Sequence, residues 1–153
     1  KGIVCTAFFA DCVPLYFYDP MTGYIGIAHA GWRGTVLGIA QKMVETFVSL
    51  DSQTHHILVV VGPCITQDKY EVDDRVISQI PDRYHQKVVI SRGNGKYLLD
   101  LKQLNVEILL HSGIFRHNID VTNFCTYSDE HLFFSHRREG AKAGRMLGYI
   151  GFI

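Results

Sequence analysis

The stretch VPLYFYDPMTGYIGIAHA, residues 13–30, decides the fold, because it holds two short apolar runs joined by a tight turn. Residues 13–18 and 24–30 are rich in the β-branched and aromatic side chains that strands favour. Pro20 and Gly23 between them supply the backbone angles of a turn. The pattern predicts an antiparallel hairpin, whose open end places Cys12, just before the first run, beside His29 at the end of the second.

Further elements are predicted on both sides of this hairpin. Residues 2–9 are almost continuously apolar, which predicts a strand covered on both faces. Apolar residues at three- and four-residue spacing predict a helix from an N-cap at Thr35 to about Leu50. Asp100 opens a second periodic helix over 101–110. A helix over 73–80 and strands over 57–61, 88–91, 118–122 and 146–153 complete the prediction, which belongs to the mixed α/β class.

The composition limits the classes of function. The 153 residues suffice for one domain with a single core, and we expect one domain over 1–153. Fifteen basic residues balance fifteen acidic ones, which argues against nucleic acid or an acidic membrane as partner. No apolar run reaches the roughly 20 residues that span a bilayer. We expect either a monomer or a homodimer.

The ends and the cysteines add two expectations. The chain starts at Lys1 directly before a strand pattern, so we expect the domain to lack an N-terminal portion. Its four cysteines, Cys5, Cys12, Cys64 and Cys125, form no Cys-x-x-Cys pair, and a chain of this size needs no disulfide. Free thiols indicate a reducing cytoplasm.

Cys12 and His29 are the first candidates for chemistry. A lone cysteine between strands is most often a small core residue, and a strand-end histidine is most often structural. The adjacent Asp11 weakens that interpretation, because a carboxylate needs hydrogen bonds or solvent. The pair suits either a thiolate–imidazolium nucleophile or two of the three protein ligands of a catalytic zinc.

Other segments suggest contacts to an anion or a substrate. Arg33 and Gly34 lie in a glycine turn before a helix, where backbone N–H groups and a guanidinium favour phosphate. Cys64 ends a buried strand, where packing is as good an explanation as a pocket contact. His136 and Arg137 belong to a cationic segment that its apolar flanks predict to lie against the body.

These motifs together resemble the laccase-domain, or YfiH-like, family. The resemblance covers the whole chain and depends most on ADCVPL at 10–15 and AHAGWRGT at 28–35. Further motifs follow in family order: GPCI at 62–65, YEV at 70–72, DL at 100–101, TYS at 126–128 and FSHRR at 134–138. The family fold is a mixed-sheet α/β/β/α sandwich.

The resemblance also implies an activity. Members cleave adenosine, inosine and methylthioadenosine with phosphate, as purine nucleoside phosphorylases, and they deaminate adenosine. Their metal site, zinc with copper as an alternative, uses two histidines and a cysteine, of which Cys12 and His29 match two. The third ligand, a histidine, belongs to a motif that we expect upstream of this chain.

Three alternatives stay open. The fold is shared with a toxin deamidase that uses a Cys–His pair, so Cys12 can act as nucleophile with His29 as base. A multicopper polyphenol oxidase, the family's historical label, needs about ten histidines, mostly in His-x-His pairs, whereas this chain has eight and no such pair. The last alternative is a binding domain without catalysis.

Overall fold

The computed structural model describes residues 2–153, and in this range the chain forms a mixed α/β fold. The strands are β1 (Val4–Phe9), β2 (Val13–Tyr18), β3 (Ile25–Ala30), β4 (Leu58–Val61), β5 (Glu71–Asp73), β6 (Val89–Gly93), β7 (Lys96–Leu99), β8 (Ile119–Val121) and β9 (Met146–Gly151). The helices are α1 (Trp32–Val36), α2 (Ile39–Ser49), α3 (Asp74–Ile77), α4 (Asp82–Val88), α5 (Leu101–His111) and α6 (His136–Glu139). The predicted α/β class is confirmed.

The strands are arranged in three sheets. The central sheet has the order β3-β2-β4-β8, antiparallel except for the parallel pair β4 and β8. A second sheet has the order β5-β7-β6, and β1 pairs antiparallel with β9 in a two-stranded ribbon beside β3. The central sheet is thus built around the predicted hairpin.

The hairpin itself is confirmed. Asp19 closes its turn, because its backbone carbonyl accepts from Gly23 N at 2.8 Å and its carboxylate accepts from Met21 N at 2.8 Å. Leu15 and Phe17 of β2 are completely buried, and they pack in a core shared with α2 and α5. This packing fixes the register in which Val13 faces Ala30 and Pro14 faces His29.

The prediction of a single helix from Thr35 to about Leu50 is wrong in its N-terminal part. Two helices occupy the stretch, because Gly38 takes a left-handed conformation with φ of 78° between α1 and α2. Thr35 lies inside α1, and Gly31 is the residue that precedes it. The helix predicted over 101–110 is confirmed: Asp100 accepts from Gln103 N at 2.8 Å and so caps α5.

Strand β1 also differs from its prediction. Only one of its faces is covered, and Val4 and Phe8 on the other are 56% and 63% exposed. The opposite strand continues this apolar face with Leu147 and Tyr149, which are 51% and 68% exposed. The almost continuous apolar sequence of β1 therefore does not mean that both faces of the strand are buried. Among residues 2–153, none of the helices has the length and apolar character to cross a bilayer.

Candidate active site

Cys12 follows a tight reversal of the chain between β1 and β2. Asp11 makes the reversal by adopting a left-handed conformation, with φ of 79°, which aspartate tolerates better than most residues. The half-buried Cys12 side chain then lines a cavity of about 250 Å³. The other lining residues are Ala10, Asp11, Trp32, Ile65, Tyr70, Leu101, His136 and Arg137.

The hairpin brings His29 to the same place. A β-carbon built on Gly31 would lie 2.9 Å from Cys12 Sγ and 3.7 Å from His29 Nε2, so both atoms face one point above this glycine. The imidazole is stacked on Phe9, with 5.0 Å between ring centroids. A glycine at 31 leaves room for the thiol and the imidazole to converge.

These two donors fit zinc in their chemistry, since a thiolate and an imidazole are its usual ligands. They do not complete a site, because residues 2–153 contain no group of three His, Cys, Asp or Glu side chains arranged to hold a metal ion. Cys12 and His29 would therefore hold a metal together with a donor from outside these residues.

Asp11 organises the opposite wall of the cavity. Its buried carboxylate accepts three hydrogen bonds, from Thr126 Oγ1 at 2.7 Å, Ser135 Oγ at 3.1 Å and Arg137 N at 2.7 Å. Ser135 also caps α6 by accepting from Arg138 N at 3.2 Å. One carboxylate therefore fixes the start of α6 against the turn that carries Cys12.

The cationic segment is held against the body, as its flanks predict. The guanidinium of Arg138 donates to the carbonyl oxygens of Thr126, Tyr127 and Phe133 at 2.6–3.0 Å, which is a structural role. Arg137 instead lies over the ring of Tyr70, 5.2 Å from its centroid, and borders the cavity. His136 lines the cavity beside it.

The remaining predicted contacts lie elsewhere. Arg33 is exposed and lines a neighbouring depression that shares Trp32 with the Cys12 cavity. Gly34 lies against His29, since a β-carbon there would be 3.2 Å from the His29 carbonyl oxygen. Cys64 is completely buried, its thiol faces the Ile65 carbonyl oxygen at 3.4 Å, and it does not line the cavity. A substrate contact by Cys64 gains no support from this position.

Burial and the neighbouring Asp11 carboxylate raise the pKa of the Cys12 thiol, and the positive charge of Arg145 opposes them. A nucleophilic cysteine of the Cys–His type needs a lowered thiol pKa. The surroundings of Cys12 therefore disfavour the thiolate nucleophile. Coordination to a metal removes this obstacle, because a coordinating thiol loses its proton.

Sequence reasoning placed Trp32 and Tyr70 in family motifs without giving them a role in the site, and it did not predict a second compartment. Trp32 and Tyr70 line both the Cys12 cavity and a polar depression of about 230 Å³ beside it. Each space is smaller than the roughly 300 Å³ at which small-molecule sites begin, but through shared walls they form one cleft. A larger depression of about 560 Å³, between α2, α4 and α5, contains none of the predicted site residues.

Comparison with known proteins places these residues in a family. The family model described as multi-copper polyphenol oxidoreductase laccase matches residues 1–153. The purine nucleoside phosphorylase YlmD of Bacillus subtilis is 42% identical over 99% of this chain and 55% of its own length. The purine nucleoside phosphorylase SSP1584 of Staphylococcus saprophyticus is 39% identical over 98% of this chain and 56% of its own length.

Solved structures agree with these matches. A crystal structure of the Bacillus licheniformis hypothetical protein YfiH superimposes with a TM-score of 0.95 at 44% identity, covering 98% of this chain and 58% of the other. YlmD from Geobacillus stearothermophilus gives a TM-score of 0.93 at 42% identity, covering 98% and 57%. The chain thus spans just over half the length of the relatives it matches.

Proposed function

Because this chain belongs to the multi-copper polyphenol oxidoreductase laccase family, we propose that it forms the Cys12 side of the active site of a purine nucleoside phosphorylase. Its relatives with that name, at up to 42% identity, support this proposal. The observation that carries it is the cleft itself: aromatic Trp32 and Tyr70 suit a purine or ribose face, and Arg137 and His136 suit an anion. The proposed substrates are adenosine, inosine and methylthioadenosine.

The proposed reaction requires two binding functions of this chain. A phosphate oxygen attacks the ribose carbon, the bond from that carbon to the purine nitrogen breaks, and its electron pair leaves with the base, which takes up a proton. The products are ribose 1-phosphate and the free base. The cleft must therefore hold a nucleoside and a phosphate side by side, which gains rate by orienting two reactants. Water must be kept away from the sugar carbon, and the aromatic walls serve this purpose.

Zinc belongs to this proposal, with Cys12 and His29 as two of its ligands and copper as the alternative metal. Bound zinc supplies a Lewis acid and a water of lowered pKa, which suits the deamination of adenosine that we also propose. The four free thiols of the chain fit a reducing cytoplasm.

The metal proposal is tested on the full-length protein that carries this chain. We expect near-stoichiometric zinc by elemental analysis, and a loss of most of it in Cys12→Ala and in His29→Ala. Cys5→Ala is the matched control, since Cys5 is a half-buried thiol of β1 outside the cavity. Equal zinc in Cys12→Ala and Cys5→Ala would rule out Cys12 as a ligand.

The activity is tested by incubating the full-length protein with inosine or adenosine, with and without phosphate. We expect hypoxanthine or adenine together with ribose 1-phosphate, formed only when phosphate is present. Adenosine without phosphate should yield inosine through deamination. A protein that releases no base with phosphate is not a phosphorylase, and one that binds no nucleoside either would be the binding domain considered above.

The polyphenol oxidase in the family's description is not favoured for this chain. Its eight histidines include the adjacent His55 and His56 but no His-x-His pair. A four-copper centre needs many more convergent imidazoles than the residues at Cys12 provide. The thiol hydrolase is disfavoured by the raised pKa of Cys12.

A further inference from the structure

The polar depression beside the Cys12 cavity contains residues that no motif singled out. Its walls are Trp32, Tyr70, Glu71, Val72, Asp73, Arg75, Val76, Lys96 and Arg137. Three of these residues, Trp32, Tyr70 and Arg137, also line the Cys12 cavity. A ligand in the depression would therefore lie next to the cavity, with these three side chains as common walls.

Three cationic side chains face this space. Arg75 comes from α3, Lys96 from the β6–β7 hairpin and Arg137 from α6, so three separate elements deliver them. Within residues 2–153, none of the three forms an ion pair with a carboxylate within 4.0 Å. Their charges are therefore available to a bound anion.

The acidic residues of the depression do not cancel these charges. Glu71 and Asp73 line it too, so three cations meet two carboxylates. Arg137 is oriented by its bond to the Glu71 carbonyl oxygen at 2.9 Å and by the ring of Tyr70. A guanidinium fixed in this way loses little side-chain entropy when it binds an anion.

We infer that this depression is the phosphate subsite, in which Arg75 and Lys96 join Arg137 to hold the attacking phosphate. The inference deepens the proposed function and rests on it. It also replaces Arg33 as the phosphate contact. The depression of Arg33, which Arg75 also lines, shares only Trp32 with the Cys12 cavity, whereas the depression of Lys96 and Arg75 shares Trp32, Tyr70 and Arg137 with it. A nucleophile has to lie next to the carbon that it attacks.

The kinetic test uses Arg75→Gln and Lys96→Gln in the full-length protein. Loss of one charge-assisted contact should raise the KM for phosphate about tenfold or more, since each 1.4 kcal/mol is a factor of ten. The deamination of adenosine without phosphate should stay within about twofold, because that reaction uses no anion, and so should the KM for inosine when phosphate is saturating. Arg75→Lys, which keeps the charge, should restore most of the phosphate affinity.

Two control variants make the result specific. Arg83→Gln removes an arginine that lines the distant depression between α2, α4 and α5, and it should leave every parameter unchanged. Arg33→Gln tests the competing position. An unchanged phosphate KM in Arg75→Gln and Lys96→Gln, or a rise confined to Arg33→Gln, would overturn the inference.

A direct binding measurement separates this inference from the proposed function. Titration of the full-length protein with inorganic phosphate in a calorimeter should show binding to the wild type that weakens in Arg75→Gln and Lys96→Gln but not in Arg83→Gln. If the wild type binds phosphate in this pattern and cleaves no nucleoside, the subsite stands and the phosphorylase proposal fails. If the wild type cleaves nucleosides and both variants bind phosphate as tightly as the wild type, the phosphorylase proposal stands and the subsite fails.

Discussion

At the scale of single residues, Asp11 has the widest reach in the site. Its left-handed backbone turns the chain toward Cys12, and its carboxylate binds groups that are 115, 124 and 126 positions later in the sequence. The sequence indicated that this carboxylate needs a polar environment, because Asp11 lies between apolar strands. It did not identify the partners, since contacts over such separations leave no periodic pattern.

The Asp11→Asn variant tests this role. Asparagine accepts the left-handed backbone, so the change removes the charge and presents an amide to three donors. We expect a loss of about 2–3 kcal/mol in the free energy of unfolding, since hydrogen bonds to charged groups contribute most. Urea denaturation measures it.

Asp51→Asn is the matched control for this variant. Asp51 is also left-handed, with φ of 67°, but it is exposed. Its substitution should change the stability by no more than about 0.5 kcal/mol, as at other exposed positions. Equal effects of the two variants would show that the buried carboxylate contributes nothing of its own.

At the scale of elements, the central hairpin and the helix after Asp100 were predicted correctly, whereas most of one sheet was not. The β2–β3 hairpin and α5 carry enough periodic residues to be recognised. The sheet β5-β7-β6 was mostly missed, because strands of three to five residues show no clear alternation. Lys96 and Arg75, which lie in and beside this sheet, therefore escaped notice as site residues.

The contact between α1 and α5 offers a test at this scale. Thr35 Oγ1 accepts from the buried Asn105 Nδ2 at 3.0 Å and lies 3.4 Å from the Ala30 carbonyl oxygen. Thr35→Val keeps the shape and leaves the amide without this partner, so we expect a loss of about 1–3 kcal/mol in unfolding free energy. Thr46→Val, an exposed helical threonine of α2, is the control and should cost less than about 0.5 kcal/mol. A Thr35→Val protein as stable as Thr46→Val would contradict the structural role.

At the scale of the whole molecule, two weakly acidic side chains, Cys64 and Tyr70, make the free energy of unfolding fall at alkaline pH. Burial raises the pKa of Cys64 from 9.0 to about 12 and that of Tyr70 from 10.0 to about 12. The folded protein therefore keeps protons that the unfolded chain releases, and stability falls as pH rises from 9 toward 12.

The loss of unfolding free energy at alkaline pH has a predicted size. One such group should lower the unfolding free energy by about 1.4 kcal/mol per pH unit in this window. Denaturation at pH 9, 10 and 11 measures the slope, which between pH 10 and 11 should become shallower by about this amount in Cys64→Ala relative to the wild type and to Cys5→Ala. An identical slope in all three proteins would contradict the assignment to Cys64.

The whole molecule also shows which parts of the candidate site the sequence did not predict. Motifs indicated the family and the Cys12–His29 pair, and the structure adds how the central sheet, α1, α6 and the β5-β7-β6 sheet surround one cleft. The walls of that cleft come together only through tertiary packing of segments that are distant in the sequence. Local sequence patterns therefore indicated the candidate residues Cys12 and His29 but not the way the walls around them come together.

Trp32 has an optical consequence, because it is the one tryptophan of this chain and lies at the junction of three depressions. Its half-buried indole is stacked under Arg33, with 5.2 Å between the guanidinium carbon and the ring centroid. Emission from this chain under tryptophan-selective excitation thus comes from the cleft alone. A purine beside the indole would quench its fluorescence, whereas an anion would shift the emission through its charge. The emission maximum and the intensity would therefore distinguish the two occupants.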